Sequence, residues 1–277
     1  MSLTHRCRRR SMLARTLVLC VCCAYSMTSG AHAQSRAARQ QQPMPPASSA
    51  EGVELFRLLA EREREADASL QKGAELRRQG DARGALKAYE AAVKDYVKIY
   101  LRQTTPANPS LRPDATLQDR ANYRRSLSAL LSKAAESVEG YLALGGTGGG
   151  LIPEADARLG LQQLEVLRAH ARLFNEADAS RAVYWPNEVD SKARIISKRE
   201  PAFTEEARRG RVNGTVVLRM ILMADGTVGH ILILKGLPAG LSEEAIYAAR
   251  ATRFEPAMKD GRPVAQFITV SYGFRSY

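Results

Sequence analysis

Between Thr215 and Phe274 the hydrophobic period of the chain runs from two to roughly four and back to two, and few folds accommodate that order. Thr215 to Met223 reads TVVLRMILM. Val216, Leu218, Met220 and Leu222 occupy one parity and Thr215 and Arg219 the other, the pattern of a strand with one face on a core. Asp225-Gly226 follows at once; a two-residue type I′ hairpin needs positive φ at both central positions, which this dipeptide tolerates, so Thr227 to Lys235 is expected to be the partner strand. Ser242 precedes Glu243, Glu244, Ala245, Ile246, Ala248 and Ala249, a hydroxyl to cap free N–H groups and acids to meet the helix dipole, which predicts a helix to about Arg253. Pro263 to Phe274 alternates again, with Val264, Ile268, Val270, Tyr272 and Phe274 on one parity and Ala265, Thr269 and Ser271 on the other. The expectation is a helix on a small antiparallel sheet.

The first half follows a helical period. Val53 to Gln79 carries Leu55, Leu58, Leu59, Ala66, Leu70 and Ala74 at three-four spacing, Gly80-Asp81 interrupts, and Ala85, Leu86, Tyr89, Ala92, Val93, Tyr96 and Tyr100 form a second stripe. This predicts a helical hairpin whose second helix resembles that of a tetratricopeptide repeat; Leu117 to Leu144 and Glu154 to Ala179 follow as helices without the same Gly and Ala marks, so a four-helix bundle fits equally well. Thr105 to Pro113 and Gly145 to Pro153 are breaks. The fold class is therefore α+β: a leader over 1–33, a Pro- and Gln-rich linker over 34–50, a helical domain over 51–184 and a sheet domain over 190–277. The boundary is placed near Tyr184 to Asp190 because Pro186 disfavours a helical residue before it.

The residues from about Val189 to Tyr277 contain, in order, Glu200-Pro201-Ala202-Phe203-Thr204-Glu205-Glu206-Ala207-Arg208, Gly214 with its strand, Asp225-Gly226, a second strand, a helix, Phe254-Glu255-Pro256-Ala257, Gly261-Arg262-Pro263-Val264 and a last strand ending at Phe274. This order resembles the C-terminal domain of TonB-family energy transducers. The resemblance implies that the last strand, with Val264, Gln266, Ile268, Val270, Tyr272 and Phe274, receives the short TonB box peptide of outer-membrane receptors by β-augmentation, and that Pro201, Ala202, Phe203 and Thr204 also contact it. It further implies a partnership with an inner-membrane motor complex. Two features depart from the pattern. Ala202-Phe203-Thr204 keeps the aromatic of the family's polar-Tyr-Pro segment but loses the polar residue and the proline, and the linker, with only Pro43, Pro45 and Pro46, is short for a spacer that crosses the periplasm.

Arg6, Arg8, Arg9, Arg10 and Arg15 precede an apolar run, and Ala31-His32-Ala33 offers a small-x-small cleavage pattern, together the anatomy of a secretory signal peptide cut before Gln34. An uncleaved inner-membrane anchor is the alternative, since Thr16 to Ala33 carries no Asp, Glu, Lys or Arg, although Ser26, Thr28, Ser29, Gly30 and His32 polarise its second half. Cys7, Cys20, Cys22 and Cys23 all lie in this leader, so a cleaved chain would have neither thiol nor disulfide. The chain holds 41 basic and 29 acidic residues; without the leader's five arginines it holds 36 and 29, and Asp190 to Tyr277 alone holds 14 and 9. In an exported protein such a basic domain points to receptor peptides, lipid head groups or the cell-wall peptidoglycan rather than to nucleic acid.

No catalytic or cofactor constellation is legible. Gly145 to Gly150 lacks the preceding strand and the Lys-Ser/Thr of a phosphate loop, and beyond the leader His170 and His230 are the only histidines, expected as a solvated helix residue and a strand residue at solvent or a sheet edge. The sequence is thus read as a non-enzymatic protein of the periplasm or cell envelope, without cofactor, that transduces energy to outer-membrane receptors. The alternative is a soluble periplasmic adaptor, with a protein-binding helical domain and a C-terminal domain that binds peptide or cell wall.

Overall fold

The computed structural model describes residues 50–104, 116–147, 157–175 and 182–275; the leader, the linker and parts of both helix breaks lie outside the described residues. The described residues all belong to one compact unit.

Four helices come first: α1 (Ala50–Arg78), α2 (Ala82–Gln103), α3 (Leu117–Leu142) and α4 (Ala157–Asn175). Gly80 stops α1 by taking φ of 83°, a conformation that costs glycine little. Asp81 then starts α2, its carboxylate accepting from the Gly84 amide at 2.9 Å. Thr116 and Asp119 form a reciprocal capping box at the start of α3. Each helix packs on the next, and α1 also touches α3. Tyr89 explains how they approach: its ring lies so close to Gly73 of α1 and Gly140 of α3 that a Cβ there would sit 2.9 Å and 2.5 Å from it. Two glycines therefore make the seat for one aromatic ring.

The remaining elements are β1 (Val183–Tyr184), β2 (Arg194–Ser197), α5 (Glu205–Arg209), β3 (Gly214–Leu222), β4 (Val228–Lys235), α6 (Leu241–Arg250), β5 (Arg253–Glu255), β6 (Ala257–Lys259) and β7 (Arg262–Phe274). The main sheet has the order β1-β7-β3-β4, with β6 also on β7; β2 and β5 make a separate ribbon. Strands β3 and β7 are antiparallel from Gly214↔Phe274 to Leu222↔Gln266. The expected strand parity holds, with Val216, Leu218, Met220 and Leu222 all buried, on the side where α6 packs through Leu241, Ala245, Ile246, Ala248 and Ala249.

Three local expectations are corrected. The turn at Asp225-Gly226 closes between Met223 and Thr227, whose amide and carbonyl bond at 2.9 Å, so the loop has three residues. Only Gly226 takes positive φ, while the Asp225 carboxylate accepts from the Thr227 amide and hydroxyl, and this satisfies the turn without type I′ geometry. Ser242 does not cap α6. The helix begins after Gly240 at φ of 76°, and the Ser242 hydroxyl instead bonds both the amide and the carbonyl of Leu237. Arg219 is not on a solvated strand face: it is buried, its guanidinium over the rings of Tyr100 and Trp185 and its Nη2 donating to Thr104 Oγ1 at 2.9 Å.

That last contact shows what covers the second face of the sheet. Trp185 stacks on Phe174 of α4 and on Phe267 of β7, with centroids 6.0 and 4.6 Å away, and these two stack on each other at 5.3 Å, so the helical layer lies over the end of the sheet that carries Arg219, Ile221 and Phe267. The other end of that face, with Thr269, Ser271 and Gly273, is exposed.

Candidate functional site

A sheet must dispose of the unpaired N–H and C=O groups on its two edges. The outer edge of β4 is closed by α4. Gln163, fully buried, acts as a one-residue strand: its Oε1 accepts from the Ile233 amide at 2.8 Å and its Nε2 donates to the Ile231 carbonyl at 3.3 Å. Two turns along the same helix face, His170 donates from Nε2 to the carbonyl of His230 at 2.8 Å, at a point where β4 bulges and His230 takes φ of 47°. The expectation of a solvated His170 is overturned. Its ring is buried edge-on against Phe267, and burial, helped by the charge of Arg219, pushes its pKa down to about 3, so it is a neutral donor at ordinary pH.

The opposite edge of the sheet is different. β7 has β3 on one side from Gln266 to Phe274, but on the other side β1 reaches only Ala265 and Gln266. Residues 267–274 therefore have a ladder partner on one side only, among the described residues.

The residues singled out in the sequence fall into two groups around this edge. Val270, Tyr272 and Phe274 are buried and Ile268 is half-buried, so those side chains belong to the core and the strand offers its backbone. Gln266 is buried, its Oε1 accepting from the Ala193 amide at 2.7 Å, and Val264 lies far down the strand, paired with Ala257 of β6. The segment Pro201 to Thr204 is brought to the far end of β7: the half-buried Phe203 ring meets Phe274 edge-on at 6.0 Å. Thr204 accepts from the Ala207 amide as the N-cap of α5 and donates to the Ala239 carbonyl at 2.6 Å, whereas Ala202 is exposed.

Two further residues reach the edge without having been singled out. Lys198 donates to the Ser271 carbonyl at 3.0 Å with its Nζ 4.0 Å from the centroid of the Tyr272 ring, and Ala193 holds Gln266. A lysine in a run of basic residues gives no sequence signal of such a role. Among the described residues no group of His, Cys, Asp and Glu is placed to hold a metal, and no helix is long and apolar enough to cross a membrane.

Residues 199–275 match the family model of the Gram-negative bacterial TonB protein C-terminal. They are a TonB C-terminal domain. Among solved structures, the solution NMR structure of the Pseudomonas aeruginosa TonB C-terminal domain is similar at 25% identity, over 31% of this chain and 88% of that one, with a TM-score of 0.27. No curated protein matches the chain. The matched span begins at Arg199, so the helical layer, β1 and β2 all precede the TonB C-terminal domain in sequence, while the unpaired length of β7 lies inside it.

Proposed function

We propose that this chain is a TonB-family protein of the periplasm and cell envelope that conveys energy to outer-membrane receptors by holding an extended receptor peptide on the β7 edge. One observation carries the reading: β4 has its edge closed by Gln163 and His170, whereas residues 267–274 of β7 have no ladder partner on one side among the described residues. A protein that closes one edge and leaves the other has a use for the open one, since exposed edges otherwise invite aggregation. With Val270, Tyr272 and Phe274 turned into the core, capture here relies on backbone hydrogen bonds, and the polar Thr269, Ser271 and Gly273 face lets the added strand lie flat. Coupling to an inner-membrane motor complex belongs to the form in which the 1–33 leader is kept as an anchor, whereas cleavage before Gln34 favours the soluble periplasmic adaptor.

The test alters the ligand rather than the protein. A fluorescein-labelled octapeptide, Glu-Thr-Val-Thr-Val-Thr-Val-Glu, is titrated with the full chain by anisotropy, unmodified and N-methylated at alternate residues in each of the two parities. Successive residues of a strand send their amides to opposite sides, so methylation of one parity should abolish binding and methylation of the other should spare it. Equal affinity of both methylated peptides, or no binding of the unmodified one, would remove edge capture.

A further inference from the structure

The segment that precedes α5 runs along the open edge for its whole length. Ala193 meets Gln266, Lys198 meets Ser271 and Tyr272, and Phe203 meets Phe274. The first two contacts advance by five residues on each chain in the same direction, so this stretch tracks β7 in parallel. Yet no ladder joins them. The backbone of β2 pairs with β5 instead, through Arg194↔Glu255, Ile195↔Phe254 and Ser197↔Arg253, and the hydrogen bonds across to β7 come from a glutamine and a lysine side chain. Arg194 and Glu255 pair across the ribbon, and the four residues of β2 are exposed, Ile195 and Ile196 to 42% and 59%. The edge is thus covered by a stretch that does not satisfy it.

We propose that residues 193–203 are a strap that competes with an incoming strand for the β7 edge, with Lys198 as its latch; this rests on edge capture as the function of β7. A strand that pairs with residues 267–274 of β7 must lie about 4.8 Å from them, in the space now crossed by the Lys198 side chain. The Lys198 ammonium occupies the Ser271 carbonyl with a charge-assisted bond, and that bond must break before a ligand ladder passes Ser271. Because β2 keeps its own ladder to β5, release frees Ala193 and the stretch from Lys198 to Phe203 without unfolding the sheet. Binding is then gated by the release of one exposed side chain and one amide.

The experiment uses the full chain with Lys198→Ala, Lys198→Arg and Ala193→Pro, the last deleting the amide that Gln266 holds. Each is compared with the parent by anisotropy with the same octapeptide, by amide exchange of residues 193–203 and by circular dichroism to confirm folding. Release of the latch should make exchange in 193–203 faster and tighten octapeptide binding about threefold to tenfold in Lys198→Ala, the worth of one net hydrogen bond, while Lys198→Arg stays near the parent. Ala193→Pro should repeat the gain from the other end of the strap. Unchanged affinity and unchanged exchange in Lys198→Ala and Ala193→Pro would overturn the strap and leave edge capture standing; weaker binding in both would show the segment to be part of the binding surface instead. Absence of octapeptide binding to every form would remove edge capture, and with it the strap as a competitor.

Discussion

At Arg219 and His170 the sheet has accepted two polar groups that burial penalises, and both sit where the helical layer meets it. Arg219 is held by a hydroxyl and two aromatic faces rather than by a carboxylate, and burial lowers its pKa. A buried cation of this kind contributes little net stability, whereas stranding it costs more. Arg219→Met should therefore leave the urea midpoint near that of the parent or raise it, while Thr104→Val, which removes its hydrogen-bond acceptor, should cost about 1–3 kcal/mol. The fluorescence of Trp185, the only tryptophan, reports both, and a larger loss in Arg219→Met than in Thr104→Val would contradict this view of the site. His170 provides the pH dependence. Its pKa falls from 6.5 to about 3 on folding, so below pH 6.5 the unfolded chain binds a proton that the folded one refuses. Stability should be full above pH 6.5 and fall by ~1.4 kcal/mol per pH unit as the pH drops from there towards 3. His170→Gln keeps a donor for the His230 carbonyl and should flatten that slope; an unaltered slope would assign it to other groups. Neither burial was legible in the sequence, because a lone Arg on an alternating strand and a lone His on a helix are read from their own elements. Here both are decided by a layer contributed from more than forty residues away.

The elements are more legible in the sequence. The strand over Thr215 to Met223, its partner, the helix before Arg253 and the last strand all stand within a few residues of their expected ends, because each carries its own period. Turn and cap chemistry is less legible. Asp225-Gly226 was compatible with a two-residue turn, yet the Asp225 carboxylate served the three-residue alternative, and Ser242 found a better partner in Leu237 than in its own helix. The helices were legible as amphipathic stripes, but Gly73 and Gly140, which seat Tyr89, carried no stripe of their own. The most specific element-level device is α4, which ends the sheet at β4. Gln163→Leu removes both bonds to that edge while keeping the volume, and leaves a buried amide and carbonyl unpaired. The expected loss is about 1–3 kcal/mol in chemical unfolding, with faster amide exchange at Ile233. A neutral effect would show that α4 is not what closes this edge.

Over the whole molecule, the helices and the sheet are two layers of one compact unit, and the stack of Phe174, Trp185 and Phe267 lies between them. The sequence places a boundary near Tyr184 to Asp190, and we propose that a fragment starting at Asp190 keeps its sheet. Such a fragment loses β1, Trp185 and the cover over Arg219 and Phe267, so it should retain a strand signal in circular dichroism but melt more than about 10 °C below the full chain. A fragment from Ala182 restores β1 and Trp185 and should melt between the two; identical melting of all three would mean that the layers are energetically independent. The family likeness was legible from the order of motifs, and the open edge was not, because strand pairing is a property of the assembled sheet. The central claim is that this edge takes the ligand. Amide exchange of the full chain with and without a saturating amount of the Glu-Thr-Val-Thr-Val-Thr-Val-Glu octapeptide tests it most directly. Capture as an added strand predicts new protection confined to residues 267–274 of β7, with β4 and the helical layer unchanged; protection on the helices or along β4, with β7 unaltered, would contradict it.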